Sequence, residues 1–132
     1  MISKVEHIGI IVTDLNASIQ KYTRLLGLEV ASIEEFEEDG TRARLAFLPV
    51  GESCIELVEI TQTPDGKKPP PGVEHIAVAV SDIEDACGNL RAQGATLQPD
   101  AILPGSRGTR VAFIRPADFD GVSIELVEAA RA

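Results

Sequence analysis

A chain of 132 residues is one domain's length, and 44% apolar with 25% charged side chains is the composition of an ordinary globular protein, not a disordered one. A net charge of −9, from 12 basic and 21 acidic side chains, and an aromatic content of 4% speak against nucleic acid or membrane as main partners, because both need a basic face. No apolar run approaches the ~18 residues of a bilayer span, and Met1-Ile2-Ser3-Lys4-Val5-Glu6 leads directly into a strand pattern, so no signal peptide is expected.

The first element is an apolar run, Val5–Val12, rich in Val and Ile and of strand length. Asp14 follows at a helix N-cap position, where its carboxylate can accept orphan backbone N–H groups. Leu15, Ile19, Tyr22, Leu25 and Leu26 recur at helical spacing, and Gly27 stands where the helix should stop. Three strands are predicted next, at about Glu29–Glu35, Arg42–Pro49 and Ser53–Ile60. The acidic stretch Glu34–Gly40 is expected to be a solvated hairpin turn. Residues 61–72, TQTPDGKKPPPG, offer no apolar face and read as a linker.

The same order then starts again. Val73–Val80 is a strand, Asp82 a cap, and Ile83, Ala86, Cys87 and Leu90 a helix ended by Gly94. Strands are predicted at about Thr96–Ile102, Arg110–Arg115 and Val122–Val127, with Leu103–Thr109 as a glycine-rich connection. The halves match in detail. HIGIIVTDL at 7–15 pairs with HIAVAVSDI at 75–83, and IELVE at 55–59 returns unchanged at 124–128. Ala46-Phe47 and Ala112-Phe113 precede those pentapeptides. The chain is therefore read as a duplicated βαβββ unit of the α+β class, with module 1 at about 1–62, a linker at about 63–72 and module 2 at about 73–132. Cys54 and Cys87 form no CxxC and are expected to be buried thiols, which points to the cytoplasm.

Four residues that the repeat superposes carry the chemistry. The only two histidines, His7 and His75, fall at the same place in the two units, and Glu56 matches Glu125. Side-chain alternation puts Glu56 and Glu125 among apolar neighbours, and Glu59 and Glu128 on the opposite, presumed solvated face. A lone carboxylate on an apolar face costs several kcal/mol unless it is paired or metal-bound. The alternative, hydrogen-bonded core histidines beside exposed glutamates, suits one such residue better than a duplicated set. Two imidazoles and two carboxylates suit a borderline divalent ion: Co, Ni, Mn or Zn. An open coordination position would polarise a substrate carbonyl.

On these residues, and on KYTRLLGLEV, AFLPVGESCIELVE and PGSRGTRVAFIRPADFDGVSIELVE, essentially the whole chain resembles the vicinal oxygen chelate (glyoxalase/bleomycin resistance/dioxygenase) superfamily, and within it the methylmalonyl-CoA epimerases most. The resemblance implies two βαβββ modules in a curved, cleft-like eight-stranded sheet with a metal site inside. It places metal ligands at His7, Glu56, His75 and Glu125. It implies a 2-acyl-malonyl-type CoA thioester as substrate, loss of the α-proton to give a metal-stabilised enediolate, and Glu125 as a catalytic acid/base. The chain departs from the family at Ala43–Ala46, where a further acid/base carboxylate stands in some members; at Glu74, where the family usually has a second His; at Arg115, often a His; and in the shortened proline-rich segment. For substrate binding, the loop Gly105-Ser106-Arg107-Gly108 offers backbone N–H groups and a guanidinium, and Lys67 and Lys68 offer charge for phosphate. A glyoxalase I-type lactoylglutathione lyase shares the ligand set and is the alternative; a non-catalytic binding or resistance protein ranks behind it. A ring-cleaving dioxygenase would leave Glu56 unexplained. A homodimer is expected, because an open sheet exposes edges that a second copy can cover.

Overall fold

The computed structural model describes residues 2–130. The chain divides into two compact units: one runs from His7 to Glu74, and the other combines the residues up to Glu6 with those from His75 onward. The first strand, β1 (Ile2–Ile11), therefore contributes to both.

In the first unit β1 is followed by α1 (Leu15–Leu26), β2 (Ser32–Glu38), β3 (Thr41–Val50) and β4 (Ser53–Gln62). The strand order is β2-β3-β4-β1. β4 lies antiparallel to β3 and parallel to β1, with His7 opposite Cys54 and Gly9 opposite Glu56. Strand alternation divides the side chains cleanly between two faces. Ala46, Leu48 and Leu57 pack with Leu15, Ile19 and Tyr22 of α1. Ile11, Ala43, Leu45, Phe47 and Val58 form a second apolar cluster on the face turned away from the helix. Leu25 and Leu26, placed on the buried helix face by spacing, are instead 70% and 61% exposed. They lie in the last turn, next to Gly27, whose N–H bonds back to Thr23 O at 3.1 Å.

The acidic stretch is not a turn. Residues 32–38 are strand β2, and only Asp39-Gly40 turns the chain. Both have positive φ, 50° and 82°, which is the two-residue hairpin geometry that matches strand twist. The cross-strand register explains how so many carboxylates are tolerated: Glu35 faces Arg44, and Glu37 faces Arg42, with Arg42 Nε at 3.0 Å from Glu37 Oε2.

The second unit repeats the plan with β5 (Gly72–Val80), α2 (Ile83–Ala92), β6 (Leu103–Pro104), β7 (Arg110–Ile114) and β8 (Ser123–Glu128), in the order β5-β8-β7-β6. Val80, Ile83, Cys87, Leu97, Ala112, Ile114 and Leu126 form the core under α2. Ala77, Val111 and Val127, with Leu103 and Phe113, cluster on the other face. The strand predicted at Thr96–Ile102 is absent. Leu97 makes one isolated bridge to Ile114, and the ladder resumes only at Leu103. Pro99, after a cis peptide bond, has no N–H to donate, and Pro104 closes the short β6 in the same way.

Each helix start is held by two carboxylates. Asp14 Oδ1 accepts from Ala17 N at 3.1 Å and Asp82 Oδ1 from Asp85 N at 3.0 Å, as expected of N-caps. Glu59 Oε1 accepts from Leu15 N at 2.7 Å, and Glu128 Oε2 from Ile83 N at 2.9 Å. This corrects the expectation that Glu59 and Glu128 are solvated. Glu128 is buried and Glu59 half-buried, because their face of the strand is the one the helix covers. There the negative charge meets the positive end of the helix dipole. Arg110 completes the second copy, reaching Glu128 Oε1 at 3.0 Å and both oxygens of Glu84 at 2.6 and 2.7 Å. These hydrogen bonds hold its guanidinium pKa above the usual arginine value.

Candidate metal centre

In the first unit His7 is 4% and Glu56 7% exposed, on the face away from α1. Their Nε2 and Oε1 are 3.6 Å apart. The second unit builds the same pair: His75 is 8% and Glu125 7% exposed, with Nε2 to Oε1 at 3.4 Å. The surroundings repeat as well. Phe47 stands opposite Glu56 and Phe113 opposite Glu125. Gly9 and Ala77, both small residues, are the parallel-strand neighbours of the two glutamates. Phe47 meets the His7 ring edge-on, with centroids 6.2 Å apart and an interplanar angle of 85°.

The separations test whether these residues fit a metal ion. A good N–H···O bond is about 2.9 Å long; these pairs are looser. Two ligands about 2.1 Å from one ion, at an angle of roughly 90–110°, lie about 3.0–3.4 Å apart. Each unit therefore offers one imidazole nitrogen and one carboxylate oxygen at close to the spacing of neighbouring ligands. The donor set, neutral nitrogen with anionic oxygen in a water-poor setting, suits Co, Ni, Mn or Zn.

The predicted substrate loop is a short 3-10 turn at Ser106–Gly108, with Arg107 in left-handed backbone at φ 56°. Gly105 is required there: a Cβ would stand 2.5 Å from Thr109 Oγ1 and 2.6 Å from Val111 Cγ1. Its own N–H donates to Thr109 O at 2.9 Å. The Arg107 guanidinium reaches the Glu6 carboxylate at 3.0 and 3.3 Å, a partner that sequence reading missed because it is 101 positions away. Lys67 and Lys68 lie exposed in the proline-rich segment, where Lys67 N donates to Asp65 Oδ1. Of the two thiols, Cys87 is buried as expected, and burial pushes its pKa up. Cys54 is only partly buried, because it sits near the start of β4 on the face without the helix. Arg115 makes a surface contact, with its Nε 2.9 Å from Asp118 Oδ1.

Comparison with known proteins follows the same lines. The ethylmalonyl-CoA/methylmalonyl-CoA epimerase of Cereibacter sphaeroides is 31% identical over 96% of this chain and 98% of its own length. A probable lactoylglutathione lyase of Vibrio cholerae is also 31% identical, over 95% and 90%. Among solved structures, the methylmalonyl-CoA epimerase of Mycobacterium tuberculosis matches with a TM-score of 0.86 at 32% identity, covering 98% of this chain and 90% of that one. A variant of the Streptomyces coelicolor methylmalonyl-CoA epimerase, in complex with 2-nitronate-propionyl-CoA, matches with a TM-score of 0.81 at 28% identity, over 100% and 98%. The family model that matches residues 4–126 is the Glyoxalase/Bleomycin resistance protein/Dioxygenase superfamily, and the chain, built as a twice-repeated βαβββ unit with a buried His–Glu pair in each copy, belongs to that superfamily.

Proposed function

We propose that this protein is a divalent-metal-dependent epimerase that moves the proton α to the carbonyl of a CoA thioester of the methylmalonyl type. The observation that carries the reading is the twofold recurrence of a buried His–Glu pair, at 3.6 and 3.4 Å. The epimerase relatives, which span nearly the whole chain, support the substrate class. His7, Glu56, His75 and Glu125 would hold one ion, which supplies Lewis-acid polarisation of the thioester carbonyl and so makes the α-proton more acidic. The chain's own residues do the rest. Glu125 is the base that takes the α-proton. Gly9 and Ala77 leave space beside the carboxylates, and Phe47 and Phe113 keep water from the reacting carbon. The loop at Gly105, Arg107 and Gly108 would offer an anionic substrate, which a chain of net charge −9 otherwise repels, the Arg107 guanidinium in exchange for its contact with Glu6. Two unbridged cysteines support a cytoplasmic, reducing setting. A homodimer belongs to this reading, and a monomer mass by light scattering at micromolar concentration would contradict it.

The test is proton NMR in deuterated water with added cobalt or nickel. Methylmalonyl-CoA in one tube should lose its α-proton signal above the uncatalysed rate, and only with metal present. A parallel tube of methylglyoxal and glutathione addresses the second reading, favoured by the lyase relative of Vibrio cholerae. Appearance of lactoyl thioester there, with silence in the first tube, would replace the epimerase by a glyoxalase-type isomerase.

A further inference from the structure

We infer that the first unit carries a binding site for a small zwitterion, a free α-amino acid, whose carboxylate is received by Arg44 and whose ammonium is received by Glu35. The site is separate from the metal centre and independent of the epimerase reading. A cavity of about 460 Å³ opens at β2 and β3, lined by Glu35, Phe36 and Glu37 of the one strand and by Arg42, Ala43 and Arg44 of the other. All six belong to the unit that runs from His7 to Glu74. The volume is in the range of small-molecule clefts, roughly 300–1,000 Å³. Glu35 and Arg44 share the sheet face of Ala46 and Leu48, which α1 covers farther along, and not the face of Glu56.

The duplication shows what Arg44 lacks. Arg44 pairs with Glu59 across the ladder as Arg110 pairs with Glu128, so the two arginines are counterparts. Arg110 is clamped from two sides, by Glu128 at 3.0 Å and by both oxygens of Glu84 at 2.6 and 2.7 Å. Glu84 is the second residue after the cap Asp82; the second residue after the cap Asp14 is the neutral Asn16. The first copy therefore has no bidentate carboxylate for its arginine. Glu59 Oε1 is engaged at Leu15 N, and Glu37 is engaged by Arg42 at 3.0 Å. Arg44 is half-buried, and among the described residues no hydrogen bond or ion pair engages it. A partly desolvated guanidinium without a carboxylate is destabilising, and a local choice that opposes stability is where function is expected to reside. The group that would satisfy Arg44 is the one Glu84 gives Arg110: a carboxylate taken in the fork of the guanidinium.

The second charge comes from β2. Glu35 stands directly opposite Arg44, yet no ion pair joins them, and among the described residues no hydrogen bond engages Glu35 either. One positive and one negative group thus line the same cavity unjoined, beside the mutually neutralised pair Arg42–Glu37. A simple anion would meet the charge of Glu35, and a simple cation that of Arg44. A ligand that carries carboxylate and ammonium on one carbon meets both, and the balance of charge is unchanged. The rest of the cavity leaves space for the side chain of the amino acid.

The experiment is a nitrogen–proton correlation NMR titration of the full chain with L-alanine. The Arg44 Nε–H and the amides of β2 and β3 should shift saturably, with a dissociation constant of about 1 mM or lower. Propionate, which lacks the ammonium, and alaninamide, which lacks the carboxylate, should each bind at least about 10-fold more weakly. Arg44→Gln should weaken L-alanine by about 10-fold or more, and Glu35→Gln by about 3-fold or more. Asn16→Glu alters none of the six lining residues but installs the clamp of the second copy; it should raise the urea midpoint and abolish L-alanine binding. No saturable shift up to about 50 mM L-alanine would overturn the site. Wild-type affinity in Asn16→Glu would overturn the role of Arg44, and propionate binding as tightly as L-alanine would overturn that of Glu35.

Discussion

Replacing Glu128 by alanine tests whether the end of β8 also anchors the helix. Glu128 is 5% exposed and Ile83 fully buried, so the Ile83 N–H that Glu128 Oε2 accepts at 2.9 Å has no water to turn to. An orphaned buried donor costs about 1–3 kcal/mol. Losing a charge from the positive end of α2 adds about 0.3–1 kcal/mol. Arg110 keeps its two contacts with Glu84, at 2.6 and 2.7 Å, so no unpaired cation is created. Glu128→Ala should therefore destabilise by about 2–3 kcal/mol, a fall in Tm on the order of 6–10 °C for a chain of this size. Glu128→Gln retains an acceptor for the N–H and should lose about 1 kcal/mol. Glu59→Ala, at the equivalent 2.7 Å bond to Leu15 N, removes a half-buried acceptor with no arginine behind it and should cost slightly less than Glu128→Ala. Urea unfolding at neutral pH, with chelator present to remove any metal contribution, measures all three. A Glu128→Ala loss under about 0.5 kcal/mol would refute the anchoring argument, because surface substitutions cost that little. Equal losses for Ala and Gln would show that the accepted N–H is not the cause.

Other expectations follow from single contacts. His75→Ala should abolish bound metal and activity together, read by metal analysis after gel filtration; metal retained at wild-type stoichiometry would remove His75 from the ligand set. Gly105→Ala forces a Cβ to within 2.5 Å of Thr109 Oγ1 and 2.6 Å of Val111 Cγ1, which should cost about 1–3 kcal/mol by overpacking; an unchanged urea midpoint would contradict it. The Thr96 backbone N–H at 2.8 Å and then the Arg115 guanidinium hold the Asp118 carboxyl below its ordinary pKa. A depressed folded-state pKa gives stability that is present above the unfolded value and lost as pH falls through the folded one. Asp118→Asn should thus flatten the acid limb of stability against pH, below the ordinary carboxylate range, and leave the limb above pH 7 unchanged; an unaltered acid limb would count against the contact.

Much of the fold was legible because duplication doubles every signal. The strand parity of IELVE set Glu56 and Glu125 among apolar neighbours, and the register puts them on the same face as His7 and His75. What escaped has specific physical causes. Glu59 and Glu128 were set on the correct face, but that face belongs to the helices, whose orphan N–H groups lie 44 and 45 residues away in sequence. Counting those donors at Leu15 and Ile83 would have asked for a second acceptor at each helix start. The acidic stretch looked like a turn because charge was weighed without Arg42 and Arg44, which come into register only after the chain reverses at Asp39-Gly40. Thr96–Ile102 looked like a strand because its counterpart is one, yet Pro99 withdraws the donor that the ladder needs there.

The outermost strands of the two copies, β2 and β6, are also the places where a sheet invites foreign chains to join. The copies have guarded that opening differently. β6 offers only Leu103 and Pro104, too short a template to recruit anything. β2 offers seven residues, four of them glutamates, so a second molecule adding itself there would stack carboxylate on carboxylate. That guard works through charge. Glutamine at all four positions should therefore bring on sheet-to-sheet aggregation seeded at β2 while the core itself stays folded.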